Sequence, residues 1–519
     1  PVASLPGGGL RRSAENVTAR ALETIDAWAD TPFFLWLHYF DAHLPYLERA
    51  ADRDAFPDAP YLAQVHALDR ALGRVFERLE ARGLREHTLV VVTSDHGEGL
   101  GEHDEPTHSY FVYDSTMRVP LLLWGPPSLP RGLRVETPAR TVDLLPTILD
   151  LMERPVPGGL HGRSLAGRLR GEDAEPAPLV YGESLDLHRI FGTTPVRLLR
   201  EGRWKYIHSA EPELYDLATD PGETRNMAGR EPERAAHLAG RLRALVAEAQ
   251  PAPDPEDPPL SAVDVARLEA LGYVVPRAGR RLPDEIALLA PQGPPPRGLA
   301  RAAESLSRAK GVIAARRYDR AIAVLAPLAE MHPESPTVLA MLAEATAGTG
   351  RADEALALFD RALAVEADPC SETRLDRARA FARFGRDRER IRELEDALGG
   401  CPDSATYLNE LAWALATTSA AHGGDGERAV LLASRLVELG SGEPDPNQLD
   451  TLAAAWFAAG DPAKAAATQA RALAILERSG AAPKLRAAYA RSLARYRRAE
   501  AEAESEAGVE VESTARDVP

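Results

Sequence analysis

Residues 89–98 read Leu-Val-Val-Val-Thr-Ser-Asp-His-Gly-Glu, and this stretch decides the fold of the first half of the chain. Its apolar residues predict a short strand of the kind that is buried in the sheet of an α/β protein. The strand runs directly into Asp95 and His96, and α/β folds keep their functional residues at the carboxyl ends of such strands. A carboxylate and an imidazole side by side can share one divalent cation, and Gly97 would let the backbone turn sharply behind them.

The neighbouring segments support an α/β fold. Apolar runs at 33–37 and 121–124 predict two more strands buried on both faces, and residues 61–82 have the apolar spacing of a helix that ends before Gly83. Further on, Glu201 and Gly202 separate two strand-like runs within 196–207, which predicts a hairpin, and an amphipathic helix follows to about Glu248. We therefore expect an α/β domain over residues 1–180, closed by a small antiparallel subdomain over 181–250.

The second half of the chain has a different composition. Residues 251–298 are rich in proline and predict an extended linker. From 299 to 498 small residues, glycines and prolines recur with a period of about 34 residues, which predicts a tetratricopeptide solenoid of four to six helix pairs, with an ordinary helical bundle as the alternative. Residues 499–519 are acidic and almost without large apolar side chains, so they are expected to be disordered.

Composition excludes several classes of function. The 519 residues contain 61 Lys and Arg against 78 Asp and Glu, a net charge of −17, which argues against a nucleic-acid partner. No apolar run is long enough to span a membrane. Two cysteines, Cys370 and Cys401, are too few for a disulfide scaffold or a zinc site, and Cys370 is assigned to packing within the repeats.

Histidine is concentrated where lysine is absent. Seven of the 13 histidines lie within the first 108 residues, while no lysine precedes Lys205. Any cation required by the chemistry of this region must therefore be Arg or His. His43 follows the apolar run at 33–37, and His108 lies 13 residues after Asp95, in a loop whose acidic residues Asp104 and Glu105 are expected to form a solvated rim.

These segments resemble the sulfatase family of the alkaline-phosphatase superfamily, especially bacterial sulfatases with C-terminal tetratricopeptide repeats. The resemblance is carried by 33–46, 89–98 and 101–121, and it continues through 181–184, 197–207, 213–217 and 220–226. It covers about residues 10–280. It implies an alkaline-phosphatase-like sheet with flanking helices and a small antiparallel C-terminal subdomain.

The resemblance implies a role for four residues. Asp95 and His96 would be two ligands of a divalent cation, Ca²⁺ first, with Mg²⁺ or Mn²⁺ as alternatives, because arylsulfatases usually have Asp-Asn here and the phosphonate-monoesterase-like branch has Asp-His. His43 would contact the sulfate oxygens or the departing oxygen. His108 occupies the position where many relatives have a lysine that holds the sulfate, and we expect it to be a protonated imidazole kept charged by surrounding anions.

Sulfatases act through a formylglycine made from Cys or Ser in the motif C/S-x-P-x-R, which the 519 residues lack; Cys370-Ser-Glu-Thr-Arg374 is only a near match. We therefore expect a truncated reading frame that is inactive by itself. The nucleophile, the other metal ligands and any export signal would lie upstream of Pro1. The resemblance favours an exported or periplasmic protein.

The expected function is a metal-dependent sulfuric ester hydrolase. It would act on a sulfate-ester small molecule or glycan, and its repeats would bind a protein or peptide. One alternative is a hydrolase or transferase of phosphoric or phosphonic monoesters on the same fold, because both ester classes present tetrahedral anions of similar size. The other is a non-catalytic tetratricopeptide scaffold.

Overall fold

The computed structural model describes residues 2–4, 10–44, 46, 50–127, 129–172, 176–249, 289–291, 293–366, 368–439, 444–478 and 483–516. Most of the predicted linker, residues 251–288 and 292, lies outside these ranges. The described residues fall into two compact units: the residues up to 249 together with 289–307, and the residues from 308 onward. The predicted domain boundaries stay predictions.

The first unit combines short strands with helices. Its strands are β1 Val2–Ser4, β2 Leu10–Arg12, β3 Val90–Thr93, β4 Leu121–Trp124, β5 Val180–Ser184, β6 Val196–Glu201, β7 Trp204–His208 and β8 Glu213–Asp216. Its helices are α1 Ala14–Trp28, α2 Ala50–Ala55, α3 Pro60–Ala81, α4 Asp114–Met117, α5 Leu144–Leu151, α6 Ala166–Leu169, α7 Asp186–Phe191 and α8 Pro232–Glu248. The helix predicted over 61–82 is confirmed as α3.

The core beneath the predicted site lies between two long helices and the apolar runs. Ile25 of α1 and Val75 and Leu79 of α3 pack together, with Phe33, Leu35, Leu37, Val90 and Trp124 against them. Strands β3 and β4 pair antiparallel, from Val90 opposite Trp124 to Thr93 opposite Leu121. The start of β3 and the end of β4 therefore pack on α1 and α3.

The prediction of strands buried on both faces is wrong for this region. Residues 33–37 form no strand in the part of the chain that the structure describes, and Phe34 and Trp36 are 84% and 82% exposed. Leu122 of β4 is also exposed. The run over 33–37 alternates half-buried and exposed side chains, and only the side facing α1 and α3 is covered by described residues.

The antiparallel subdomain is a four-stranded sheet in the order β5-β6-β7-β8. The predicted hairpin is confirmed: Glu201 pairs with Trp204, and Gly202 in the turn has φ +58°. Helix α8 follows as predicted and packs Leu238 and Leu242 onto the sheet. The alternating apolar side chains thus pair one face of the sheet with α8.

The helical region consists of short helices joined by turns. Its helices are α9 Leu299–Ala314, α10 Tyr318–Met331, α11 Pro336–Gly348, α12 Ala352–Val365, α13 Glu372–Arg383, α14 Asp387–Gly400, α15 Ala405–Thr417, α16 Gly426–Leu439, α17 Pro446–Ala458, α18 Pro462–Arg478 and α19 Pro483–Arg516. Helices α10 to α19 each pack against the next in sequence, and α11 also contacts α13, as α15 contacts α17. Buried alanines such as Ala355, Ala397 and Ala465 let the helices approach closely. This stacking is the all-α tetratricopeptide architecture.

The beginning of α9 belongs to the first unit. Leu299, Ala300 and Ala303 are buried in a cluster with Val196 and Leu198 of β6 and with the segment 110–113. This helix was predicted as the start of the repeats, but its first turns complete the core beside the antiparallel sheet.

Two features of the second unit differ from expectation. Cys370 and Cys401 form a disulfide with Cα atoms 5.9 Å apart, whereas we assigned Cys370 to packing. Helix α19 runs through Arg516 across most of the predicted disordered tail, because alanine and glutamate have high helix propensity. Residues 517–519 lie outside the described ranges. None of the described helices has the length and apolar character that a membrane span requires.

Candidate functional site

The site lies in the first unit, where three polar loops meet. Asp95 and His96 follow β3, His43 follows the run at 33–37, and His108 lies in the loop before α4. The rings of His96 and His108 stack with centroids 3.9 Å apart, and the ring of His43 meets them edge-on at 6.3 and 5.0 Å. The structure thus brings together all four residues predicted for the site.

Asp95 and His96 are held by their own loop. The Asp95 carboxylate accepts hydrogen bonds from the backbone N–H of His96 at 3.0 Å and from the Ser94 hydroxyl at 3.3 Å. Its Oδ2 lies 3.7 Å from His96 Nε2. Burial opposes the charge of this carboxylate, but His96 and the hydrogen bonds outweigh it and hold the pKa of Asp95 below its ordinary value.

Position 97 requires glycine because there is no room for a side chain, and not because the backbone turns there. Its φ is outside the left-handed region, but a Cβ at this position would lie 2.3 Å from the carbonyl oxygen of Ser115. Its N–H donates to the carbonyl oxygen of Thr116 at 2.7 Å. The Asp-His pair is therefore held in place, because the glycine that follows it lies directly on the short helix α4.

His43 is half-buried. Its Nδ1 lies 2.6 Å from the carbonyl oxygen of Leu44, and its ring stacks on Phe40 with centroids 4.6 Å apart. Burial lowers the pKa of His43 below its ordinary value, and the contact with Leu44 only partly opposes this. The preceding residue, Ala42, has φ +71°, a conformation that non-glycine residues rarely adopt and that is often found at functional sites.

His108 contacts a carboxylate that was not among the predicted site residues. Its Nδ1 lies 2.9 Å from Oε1 of Glu98, whose side chain is only 4% exposed. Glu98 directly follows the Asp-His-Gly motif, so its place in that motif was the available signal. Ser109, next to His108, has φ +90°, which repeats the unusual backbone seen beside His43.

The acidic loop before His108 is only partly a solvated rim. Asp104 is exposed and pairs with Arg301 at 2.8 Å. Glu105 is fully buried, so the prediction is wrong for this residue: its carboxylate accepts the backbone N–H groups of Tyr110 and Phe111, and burial raises its pKa. The loop closes on itself around this carboxylate, which a charge pattern alone does not reveal. His103 stacks on Tyr113, away from the other three rings.

Asp95 and His96 fit one shared cation. Two donors 3.7 Å apart are compatible with one ion at bond lengths of about 2.0–2.6 Å. Among the residues that the structure describes, no group of three or more His, Cys, Asp or Glu is arranged to hold a metal. These two residues would therefore form part of a coordination sphere, and other oxygen ligands would complete it.

Comparisons with known proteins agree with the motifs. The sulfatase family model matches residues 6–154, the model for the C-terminal region of N-sulphoglucosamine sulphohydrolase matches 101–250, and a tetratricopeptide repeat model matches 312–380. Residues 6–250 are therefore similar to sulfatases.

Individual sulfatases and a related structure are similar over part of their length. Arylsulfatase K of Danio rerio is 35% identical over 195 residues, 36% of each chain, and the delta 4,5-hexuronate-2-O-sulfatase of Bacteroides thetaiotaomicron is 35% identical over 167 residues, 31% of this chain and 34% of that one. The structure of the phosphonate monoester hydrolase of Silicibacter pomeroyi is 29% identical, with 47% of this chain and 62% of that chain covered and a TM-score of 0.37. The chain spans about a third of the length of the curated relatives that it matches.

Proposed function

We propose that this sulfatase chain contributes the anion-binding and leaving-group side of a sulfuric ester hydrolase. The observation that carries the proposal is the convergence of His43, His96 and His108 within 6.3 Å, next to Asp95. Breaking a sulfate ester requires neutralisation of the nonbridging oxygens and a proton for the departing alkoxide. His43 and His108, when protonated, would donate N–H groups for these tasks, while His96 and Asp95 would hold a cation beside them.

We assign the metal-ligand role to Asp95 and His96, with Ca²⁺ as the first candidate and Mg²⁺ or Mn²⁺ as alternatives. A carboxylate whose pKa is held low stays ionised at neutral pH and is a good ligand for a hard cation. A bound cation would neutralise charge on the sulfate oxygens. Mn²⁺ remains an alternative because of the imidazole ligand, since nitrogen donors bind Mn²⁺ better than they bind Ca²⁺.

His43 and His108 are assigned to the ester itself. Because Nδ1 of His43 donates to the Leu44 carbonyl oxygen, only the protonated ring would offer a second N–H, on Nε2, to the sulfate or to the departing oxygen, and burial opposes this charged form by lowering the pKa of His43. His108, beside the Glu98 carboxylate, would hold a sulfate oxygen in the position that a lysine occupies in many relatives.

Turnover by these 519 residues alone is not expected, because they contain no C/S-x-P-x-R motif from which a formylglycine could form. The substrate class is a sulfate-ester small molecule or glycan. The repeats are assigned to binding a protein or peptide, since stacked helix pairs present an extended surface.

Anion binding tests the proposal without requiring turnover. Sulfate is titrated calorimetrically into the chain with Ca²⁺ present, and His108→Ala and His43→Ala are expected to weaken binding about tenfold each, roughly 1.4 kcal/mol. The matched control is His87→Ala, which removes an exposed histidine of the same unit and should bind like the wild type. Equal binding by all three variants, or no binding of sulfate at all, would reject the proposal and favour the scaffold.

The same titration with phosphate and phenylphosphonate addresses the phosphoryl alternative. The Asp95-His96 pair supports that alternative, because it replaces the Asp-Asn usual in arylsulfatases. Tighter binding of sulfate favours the sulfatase, and tighter binding of the phosphorus anions favours the phosphoric or phosphonic ester hydrolase. Turnover of an aryl sulfate by the chain alone would contradict the expected inactivity.

A further inference from the structure

Glu98 lies at the centre of the site without an assigned role. Its carboxylate is almost completely buried, with Oε1 2.9 Å from His108 Nδ1 and Oε2 3.5 Å from the hydroxyl oxygen of Tyr46. A buried carboxylate is costly unless hydrogen bonds satisfy it. These contacts meet that requirement, and they also fix the direction in which the His108 ring points.

Three neighbours surround the His108 ring. Nδ1 faces Glu98, one face lies on His96 with an interplanar angle of 22°, and the ring of His43 approaches at 76°. Nε2 makes no hydrogen bond to another described residue, so it is the ring atom left to meet an anion. A proton on Nδ1 donates to Glu98 whether or not Nε2 also carries one.

The backbone of Glu98 is tied to the His108 loop as tightly as its side chain. The N–H of Gly99 donates to the carbonyl oxygen of Thr107, the residue before His108, at 2.5 Å. A Cβ on Gly99 would lie 2.6 Å from that same oxygen. Glu98 therefore lies between two glycines that both contact neighbouring backbone directly, so its own backbone is held beside the His108 loop.

Tyr46 is kept as a donor to the same carboxylate. Burial and the neighbouring Glu98 raise the pKa of the Tyr46 hydroxyl, which therefore retains its proton. Glu98 can accept from His108 on one oxygen and from Tyr46 on the other.

We propose that Glu98 is a positioning residue that accepts the Nδ1–H of His108 and directs Nε2 toward the sulfate group, to which the protonated ring donates from Nε2. The inference rests on the proposed function for the role of Nε2, but the tautomer and ring orientation are properties of this chain and are measurable without substrate. Carboxylate–imidazole pairs in other enzymes orient the ring in the same physical way.

The tautomer is tested by NMR on the whole chain labelled with ¹⁵N in its histidine rings, recorded with EDTA and at alkaline pH so that neutral tautomers are compared. The His108 signals are identified by their loss in His108→Gln. We expect the Nδ1–H form in the wild type and a shift to the Nε2–H form in Glu98→Ala. Glu98→Gln should have the Nδ1–H form of the wild type, because its amide oxygen can also accept a hydrogen bond from Nδ1–H. This second variant allows the proposal to be tested even if the alanine variant does not fold.

The control is Glu102→Ala, since Glu102 lies in the same loop but bonds only to the backbone N–H of Leu100. An unchanged His108 tautomer in Glu98→Ala, or an equal change in Glu102→Ala, would overturn the proposal.

Sulfate affinity then separates positioning from the proposed function. If Glu98 acts through His108, Glu98→Ala as a single substitution weakens sulfate binding about fivefold. In a chain that already carries His108→Ala, the same substitution causes no further loss of sulfate affinity. If the losses of sulfate affinity in Glu98→Ala and His108→Ala are additive in the double variant, Glu98 does not act through His108 and the proposal is overturned. A tautomer change in a chain that binds no sulfate would support positioning and reject the sulfatase assignment.

Discussion

At the scale of single residues, the site depends on backbone contacts that leave no room for a side chain. Gly97→Ala would place a methyl group 2.3 Å from the Ser115 carbonyl oxygen, so the loop that carries Asp95 and His96 must shift. We expect a loss of about 1–3 kcal/mol in the free energy of unfolding, from overpacking, together with loss of sulfate binding.

Thermal unfolding and sulfate titration of Gly97→Ala check this expectation. The matched control is Gly73→Ala in α3, where an added Cβ meets no atom within 4 Å and should stabilise the helix slightly. If Gly97→Ala binds sulfate with the affinity of the wild type, position 97 does not lie as close to the Ser115 carbonyl oxygen as the structure indicates.

The burial of His208 on β7 leads to a prediction of how the free energy of unfolding depends on pH. Burial, with a smaller effect of Arg197, lowers the pKa of His208 below its ordinary 6.5. As the pH falls, His208 therefore binds a proton in the unfolded chain before it does so in the folded chain. The contribution of the neutral, buried His208 to the free energy of unfolding is complete above about pH 6.5 and declines below it, by up to ~1.4 kcal/mol per pH unit.

Chemical denaturation between pH 5 and pH 8 measures this dependence, because the slope of the unfolding free energy with pH should be smaller in His208→Gln. His87→Gln, at an exposed position, should keep the wild-type slope. If the two variants have the same slope, His208 does not titrate as its burial predicts.

At the scale of elements, one helix pair of the repeats is crosslinked. Cys370 precedes α13 and Cys401 follows α14, and Glu393 of α14 pairs with Arg374 and Arg377 of α13 beside the bridge. Replacing both cysteines by serine should lower the free energy of unfolding of the second unit by about 2–4 kcal/mol, since the bridge restricts the unfolded chain.

Reduction offers an internal comparison for this prediction. Dithiothreitol should lower the midpoint of thermal unfolding of the wild type toward that of the serine variant, and leave the variant unchanged. Two titratable thiols in the unreduced, unfolded wild type would show that the bridge does not form. A persistent bridge is typical of proteins in oxidising compartments.

At the scale of the whole molecule, the first unit extends beyond the predicted end of its antiparallel subdomain. Leu299, Ala300 and Ala303 of α9 are buried against β6 and the segment 110–113, which directly follows the His108 loop. A chain that ends at residue 298 would expose this core, whereas a chain that ends at 314 would keep it. We expect the shorter chain to unfold at a temperature several degrees lower, because three buried side chains are lost.

Differential scanning calorimetry of the two truncated chains makes the comparison. The longer chain also carries the wild-type contact between Arg301 and Asp104, but that pair is exposed and contributes little, so Arg301→Ala should hardly change its unfolding temperature. Equal unfolding temperatures for the two lengths would show that α9 is not part of the first core.

Much of this protein follows from local sequence. The alternation and apolar runs of residues 196–207 specify a hairpin, and the spacing of small residues after 299 specifies stacked helices. Residues 89–98 specify a strand that ends shortly before Asp95 and His96. In each case the deciding contacts lie close together in the chain, so periodicity and turn residues encode them.

Only the tertiary structure decided the rest. It brought His43 against His96 and His108 from a loop more than 50 residues upstream, gave His108 the buried partner Glu98, and paired Cys370 with Cys401 across 31 residues. It also left Phe34 and Trp36 exposed where the apolar run predicted burial. These features depend on how separate segments pack in space, and the composition of each segment alone does not specify which others it will meet.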